Sequence, residues 1–139
     1  MISILQDKDN LIARWVCNGL GFDTAWIEDN YTIGFVENGC LLGGLIFHNY
    51  RPAADVWWTI YAESPRWCSR RVLRFIFNMA FKVLKCRRIS LLVDKSNRRC
   101  LSMVKRMGFQ EEGCLRAFRD NGEDAVLLGM LRDECKWIV

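Results

Sequence analysis

The stretch from residue 55 to residue 94 constrains the fold more than any other feature of this sequence. Asp55 to Ala62 alternates, with Val56, Trp58, Ile60 and Ala62 on one face and Trp57, Thr59 and Tyr61 on the other. That is the period-two signature of a strand. Ser69 to Lys85 is nearly all apolar except for Arg71, Arg74, Asn78, Lys82 and Lys85, which recur at helical steps. Such a stripe is what a helix buried on most of its circumference shows to solvent. Arg88 to Asp94 is rich in Ile, Leu and Val and reads as a central strand. Strand, helix and strand in one sheet make a right-handed parallel crossover, so this chain must build a sheet with a parallel pair at its centre.

The flanking elements are antiparallel in pattern. Asp7 to Leu20 reads as a first helix, with Leu11, Ile12, Trp15 and Val16 at helical spacing, Asp7 as cap and Gly19 or Gly21 as stop. Tyr31 to Glu37 and Cys40 to Asn49 read as strands joined by Asn38-Gly39, a strong hairpin signal. Asn97 to Met107 reads as a shorter helix with Cys100, Met103, Val104 and Met107 inward and Gly108 at its end. Phe109 to Arg119 and Asp124 to Leu131 read as a long hairpin around Asp120-Asn121-Gly122. The expected order is helix, three antiparallel strands, helix, strand, helix, two strands. This is an α/β fold with a mixed sheet, and residues 1–139 form a single domain without repeat or linker.

Composition narrows the function classes. Seven cysteines accompany a single histidine, His48, and no two cysteines form a C-x-x-C pair. A zinc site needs clustered ligands at short spacing, so no metal is expected. The odd count and irregular spacing argue against a disulfide framework, and cysteines among apolar residues read as small buried hydrophobes. These features point to a reducing cytoplasm. The N-terminus shows no signal-peptide pattern, and no apolar run is long enough for a membrane span. Net charge is +4, too mild for a nucleic-acid signature. The basic residues nevertheless cluster at 66–74, 82–88 and 95–106. They are either solvated helix faces or a basic rim for a phosphate-bearing ligand.

Residues 80–137 carry a more specific signal. Asn97-Arg98-Arg99-Cys100-Leu101-Ser102-Met103-Val104-Lys105-Arg106-Met107-Gly108-Phe109 is similar to the pattern "N-x-x-S-x-x-L-x-x-K-x-G-F" of the GNAT family of N-acetyltransferases. Glu111-Glu112-Gly113-Cys114-Leu115-Arg116 resembles that family's "x-E-G-x-x-R". The nearest subgroup acetylates protein N-termini and related amines, and the compact chain also resembles GNAT-like proteins of phages and prophages. The N-terminal half matches by element order only.

The resemblance implies a GNAT-type acyl-CoA N-acyltransferase domain with acetyl-CoA as cofactor and a primary amine as acceptor. It implies that acetyl-CoA lies in a V between Asp55–Ala62 and Arg88–Asp94. There the strand end Ile60, Tyr61 and Ala62 would meet the pantetheine arm, with Asn97 nearby. It places the pyrophosphate on the start of the following helix, where amides and helix dipole favour an anion. The family's loop there reads "Q/R-x-x-G-x-G/A". In this chain Ser64 to Arg71 holds no glycine, and Trp67 stands at the first glycine position with Ser69 at the second small one. Arg66, Trp67, Cys68, Ser69, Arg70 and Arg71 are therefore the candidate phosphate-end residues. The other reading of this loop is a helix start capped by Ser69 with surface arginines.

The tyrosine that many of these enzymes use as general acid has Val104 at its position. Candidate catalytic residues are Glu63, Asn97 and Cys100, with His48 as a further base. Cys100 either faces the thioester or packs in the core, Glu63 is either a base or solvated, and His48 is either a base or a hydrogen-bonded strand-end residue. Three functions follow. The chain is an N-acetyltransferase, a degenerate domain serving as a binding module, or, less in keeping with its charge, a nucleic-acid-directed protein. A homodimer is expected from the resemblance, with Trp137 either at a contact or closing the core.

Overall fold

The computed structural model describes residues 1–6, 10–22 and 30–138. In chain order the elements are β1 (Ser3–Gln6), α1 (Leu11–Leu20), β2 (Tyr31–Glu37), β3 (Cys40–Arg51) and β4 (Asp55–Ala62). After these come α2 (Arg70–Asn78), β5 (Arg88–Asp94), α3 (Arg98–Met107), β6 (Gln110–Leu115) and β7 (Ala125–Leu131). They build one seven-stranded sheet in the order β1-β2-β3-β4-β5-β7-β6. Only β4 and β5 pair in parallel; the other neighbours are antiparallel. This is the mixed α/β sheet that the crossover at 55–94 requires.

The sheet is covered on both faces. On one side α2 and α3 bury Val72, Ile76, Phe77, Val104 and Met107 against Val56, Trp58, Ile89 and Leu128. Trp58 is the hub of this layer, with its ring 5.0 Å from Phe77, 5.5 Å from Phe47 and 5.9 Å from Phe109. Trp57 points to the opposite face and is half-buried, as strand alternation demands. Trp137 stacks on Phe77 at 6.5 Å, and its indole N–H donates to the Met107 carbonyl at 2.8 Å. Its role is therefore to close the core.

On the other face α1 packs on β3 through Ile12, Val16 and Ile46. Its approach is set by missing side chains. Gly34 and Gly44 are cross-strand partners. A Cβ on Gly44 would come within 2.6 Å of Val16, and one on Gly34 within 2.9 Å of Ile12.

Several boundaries differ from the sequence expectation. A strand, β1, precedes the first helix and pairs with the edge of β2; four residues are too few for alternation to show. The helix begins at Leu11, Asn10 gives it no side-chain cap, and Gly21 in the left-handed region ends it. Asp7 lies outside the described residues. The expected long helix 69–85 is α-helical only to Asn78 and closes with a wider π turn over Met79–Val83, in which the Leu84 N–H reaches the Met79 carbonyl. That turn keeps Ala80 and Phe81 buried side by side, and the polar stripe of α2 stays exposed. The third helix starts at Arg98, with Asn97 as its cap. The C-terminal hairpin is shorter than expected because Ala117 takes a positive φ and donates its N–H to the Asp124 carboxylate at 2.8 Å, which ends the ladder.

Candidate functional site

The parallel pair β4–β5 is zipped for only part of its length. Asp55, Val56, Trp57 and Trp58 pair with Arg88, Ile89, Ser90 and Leu91, and there the pairing stops. Beyond that point each strand keeps its outer neighbour. Thr59 to Ala62 stay on β3, and Leu92 to Asp94 stay on β7. The inner edges diverge and leave main-chain groups facing one another across a wedge. Backbone donors and acceptors need partners, so such a wedge is a place for an extended ligand.

A narrow passage runs through the wedge. Thr59, Ile60 and Val93 flank it, Cys100 and Val104 of α3 close one side, and Phe22 and Arg119 stand at the other. On the α2–α3 side it widens into a cleft of about 1090 Å³. One wall is the end of β4 with the segment Glu63–Cys68; the other is the face of α3 that carries Asn97, Arg99, Ser102 and Arg106.

Most residues expected at a site converge here. Ile60, Tyr61, Ala62 and Glu63 line the cleft, as do Trp67, Cys68, Asn97 and Cys100. Others do not reach it. The Arg66 guanidinium is 2.6 Å from Glu37, the Arg71 guanidinium donates to the Ile2 carbonyl, and Arg70 is exposed away from the lining. The Ser69 hydroxyl caps α2 by accepting the Val72 N–H at 3.2 Å. A short 3-10 turn over Pro65–Trp67, capped by Ser64, precedes it. Trp67 does not crowd the cleft; it is fully buried and stacks on Phe35.

The chemistry of the individual groups is distinct. Asn97 accepts the Cys100 N–H on its carbonyl oxygen at 3.2 Å, leaving the NH2 end of its side chain for the cleft. Burial pushes the Cys100 thiol up to about 11, with the nearby Asp94 carboxylate adding to the rise. That thiol is therefore protonated at neutral pH and is no nucleophile. Burial also raises the Cys68 thiol, opposed by the positive charge of Arg106. His48 is a hydrogen-bonded strand residue: its Nε2 lies 2.8 Å from the Thr59 hydroxyl and its Nδ1 3.1 Å from the Asn49 side-chain oxygen. Burial lowers its pKa more than the Asn49 contact raises it, so the ring is neutral at pH 7. Glu63 is exposed at the cleft, with its N–H held by the Leu42 carbonyl.

Sequence reasoning missed Asp94, which lines passage and cleft and pairs with Arg119 at 2.6 Å. It also left open which basic cluster faces the site. The cluster on α3 does, through Arg98, Arg99 and Arg106. The spacing of Arg99, Ser102 and Arg106, beside the inward Val104, carried that signal. Among the described residues no group of His, Cys, Asp and Glu could hold a metal ion, and no helix is long and apolar enough to cross a membrane.

Solved structures share this architecture end to end. The chain matches an IAA acetyltransferase from Bacillus cereus ATCC 14579 with a TM-score of 0.78 at 13% identity, covering 94% of this chain and 99% of that one. It matches a mutant form of the spermidine/spermine N-acetyltransferase SpeG from Vibrio cholerae with a TM-score of 0.72 at 15% identity, covering 96% of each. The fold is the GNAT acetyltransferase fold. A ribosomal-protein-S5-alanine acetyltransferase from Vibrio fischeri shares it at 19% identity and a TM-score of 0.66, over 77% of this chain and 64% of that one. No protein-family model matches the sequence, and no curated protein matches it. At these identities the GNAT likeness concerns the fold, and the reaction has to be argued from the cleft.

Proposed function

We propose that the protein is an acetyl-CoA-dependent N-acetyltransferase acting on a primary amine. The observation that carries this reading is the splay of β4 from β5 beyond the Trp58–Leu91 pair, which opens the sheet to both faces. An extended pantetheine arm fits the unpaired strand edges, and the cleft beyond has room for a nucleotide. Two buried indole N–H groups without partners among the described residues, on Trp58 and Trp67, belong to this same lining. The fit at the phosphate end rests on side chains, because the loop before α2 has no glycine.

Bound acetyl-CoA supplies the acetyl group as a thioester; transfer joins the acceptor nitrogen to the acetyl carbon, breaks the C–S bond, and moves one proton from amine to solvent or base and one to the departing sulfur. The chain's own residues serve these moves. Ile60, Tyr61 and Ala62 present backbone groups that align the arm and polarise the carbonyl. Asn97 fixes the arm from the start of α3. The Cys100 thiol, protonated to about pH 11, would donate a hydrogen bond to the departing sulfur where Val104 offers no hydroxyl, and the proton on that sulfur would come from solvent. On the α1 face the neutral His48 takes the amine proton through Thr59, whose hydroxyl is within 2.8 Å. Glu63 is the alternative base on the cleft side.

The acceptor enters beside Phe22 and Arg119. The N-terminal-amine resemblance supports a peptide α-amine, and the SpeG likeness supports a polyamine; both belong in the first screen. Seven cysteines free of disulfides agree with a reducing compartment.

Hydrogen exchange with and without acetyl-CoA tests the reading. Slowed exchange at residues 59–63 and 92–94, followed by thiol release with an amine, is expected. Absence of protection at saturating acetyl-CoA overturns it. Protection without turnover on any amine favours the second reading, a binding module, which the buried Val104 at the acid position supports.

A further inference from the structure

We infer that Arg106, with Arg99 two turns before it on α3, binds the phosphates at the nucleotide end of a CoA-type ligand, in place of a glycine-rich loop. This inference rests on the acetyl-transfer reading and names the residues that would read its ligand's charge.

The loop before α2 has given its groups to other tasks. Trp67 fills the core, Ser69 caps the helix, Arg66 is bound to Glu37, and Arg71 donates to the Ile2 carbonyl. No glycine lets the main chain come close to a phosphate. The opposite wall is differently equipped. Arg98, Arg99 and Arg106 line the cleft, all exposed, and among the described residues none has an ion pair. Their neighbour Lys105, pointing elsewhere, is neutralised by Glu111 at 2.8 Å.

Arg106 and the loop residue Cys68 line the same cleft, and the arginine's charge opposes the rise that burial gives the Cys68 thiol. Its own carbonyl lies 3.5 Å from the Lys136 ammonium, which brings a further cation to this end. Among the described residues two acids lie on the cleft: Asp94 is held by Arg119, and Glu63 opposes the arginines. A guanidinium fork matches two phosphate oxygens at once, so arginines on a rigid helix can do what backbone amides do elsewhere.

Calorimetric titration of the full chain with CoA, 3′-dephospho-CoA and pantetheine tests this. Arg106→Gln is expected to weaken CoA binding about tenfold or more and to leave pantetheine unchanged, with Arg99→Gln a smaller loss in the same direction. Arg74→Gln, on the exposed stripe of α2, is the charge-matched control and keeps wild-type affinity. Equal loss against CoA and 3′-dephospho-CoA assigns the contact to the pyrophosphate, and loss confined to CoA assigns it to the 3′-phosphate; either supports the inference. Unaltered CoA binding in both Arg106→Gln and Arg99→Gln overturns it while leaving acetyl transfer standing. A wild-type protein that binds pantetheine as tightly as CoA does the same. A wild-type protein that binds neither overturns both.

Discussion

Trp67 stacks on Phe35 with ring centroids 4.8 Å apart and planes 22° from parallel. The pair ties the segment between β4 and α2 to β2, and it crosses β3 at Gly43. A Cβ there would stand 3.3 Å from the Trp67 ring. The ring of the bulkiest residue of this loop is thereby buried in the core, and Trp67 lines the wall of the cleft without filling it. It becomes a core residue that fixes where the loop begins, and Ser69 then fixes where α2 begins.

Removal of that anchor should be costly. Trp67→Ala deletes a fully buried ring, and such truncations cost about 3–5 kcal/mol. Urea denaturation measures the loss directly. A loss below about 1 kcal/mol would fit a surface residue instead and would contradict the stacking on Phe35.

The contrast between what was legible and what was not follows from the range of the forces involved. Strands β2 to β5 and their turns were readable because alternation, Asn38-Gly39 and the apolar run 88–94 are local signals. The start of α1 and strand β1 were not, since four residues at a sheet edge carry no period and the pairing with β2 is supplied by distant residues. At the site, the wedge followed from the family resemblance, and Asn97 and Cys100 fell where the motif put them. The roles of the arginines were not readable. Whether Arg66 or Arg106 faces the cleft depends on Glu37 capturing the first, a contact between residues far apart in sequence. Asp94 was hidden for the same reason, as its partner Arg119 lies in a loop bent inward by Asp124.

Cys100 makes a pH prediction. Its folded pKa, about 11, lies above that of a free thiol, about 8.5. Between these values the unfolded chain loses the proton first. Stability from this group is therefore whole below about pH 8.5 and is lost as pH rises toward 11. Half-buried Cys68 and Cys135 and buried Cys86 shift the same way. Denaturation midpoints should fall across this window and fall less in Cys100→Ser. In alkylation at pH 8, exposed Cys40 and Cys114 should react before Cys100; the reverse order would contradict a protonated thiol.

The close seat of α1 on the sheet predicts a suppressible defect. Gly44→Ala puts a methyl 2.6 Å from Val16, and overpacking of this kind costs about 1–3 kcal/mol. Val16→Ala leaves a cavity of its own in the wild type, but in Gly44→Ala it makes room. A double-mutant cycle by thermal unfolding should therefore show the two changes together costing less than their sum. Simple additivity would mean that α1 shifts freely over β3.

The Asp94–Arg119 pair stands at the mouth of the passage. Both side chains are mostly buried, and the guanidinium also stands 4.4 Å over the Phe22 ring. Asp94→Asn removes the charge partner and leaves Arg119 uncompensated, a loss of about 1.5–3 kcal/mol for a charge-assisted hydrogen bond. It also removes the nearby negative charge that helps raise the Cys100 pKa. The direction is then fixed: Cys100 in Asp94→Asn should ionise at lower pH and alkylate faster than in the wild type at pH 9. Mass-spectrometric alkylation rates check this residue by residue. An unchanged Cys100 rate with the stability loss intact would mean that burial alone holds the thiol protonated and that Asp94 serves only to hold Arg119 at the passage.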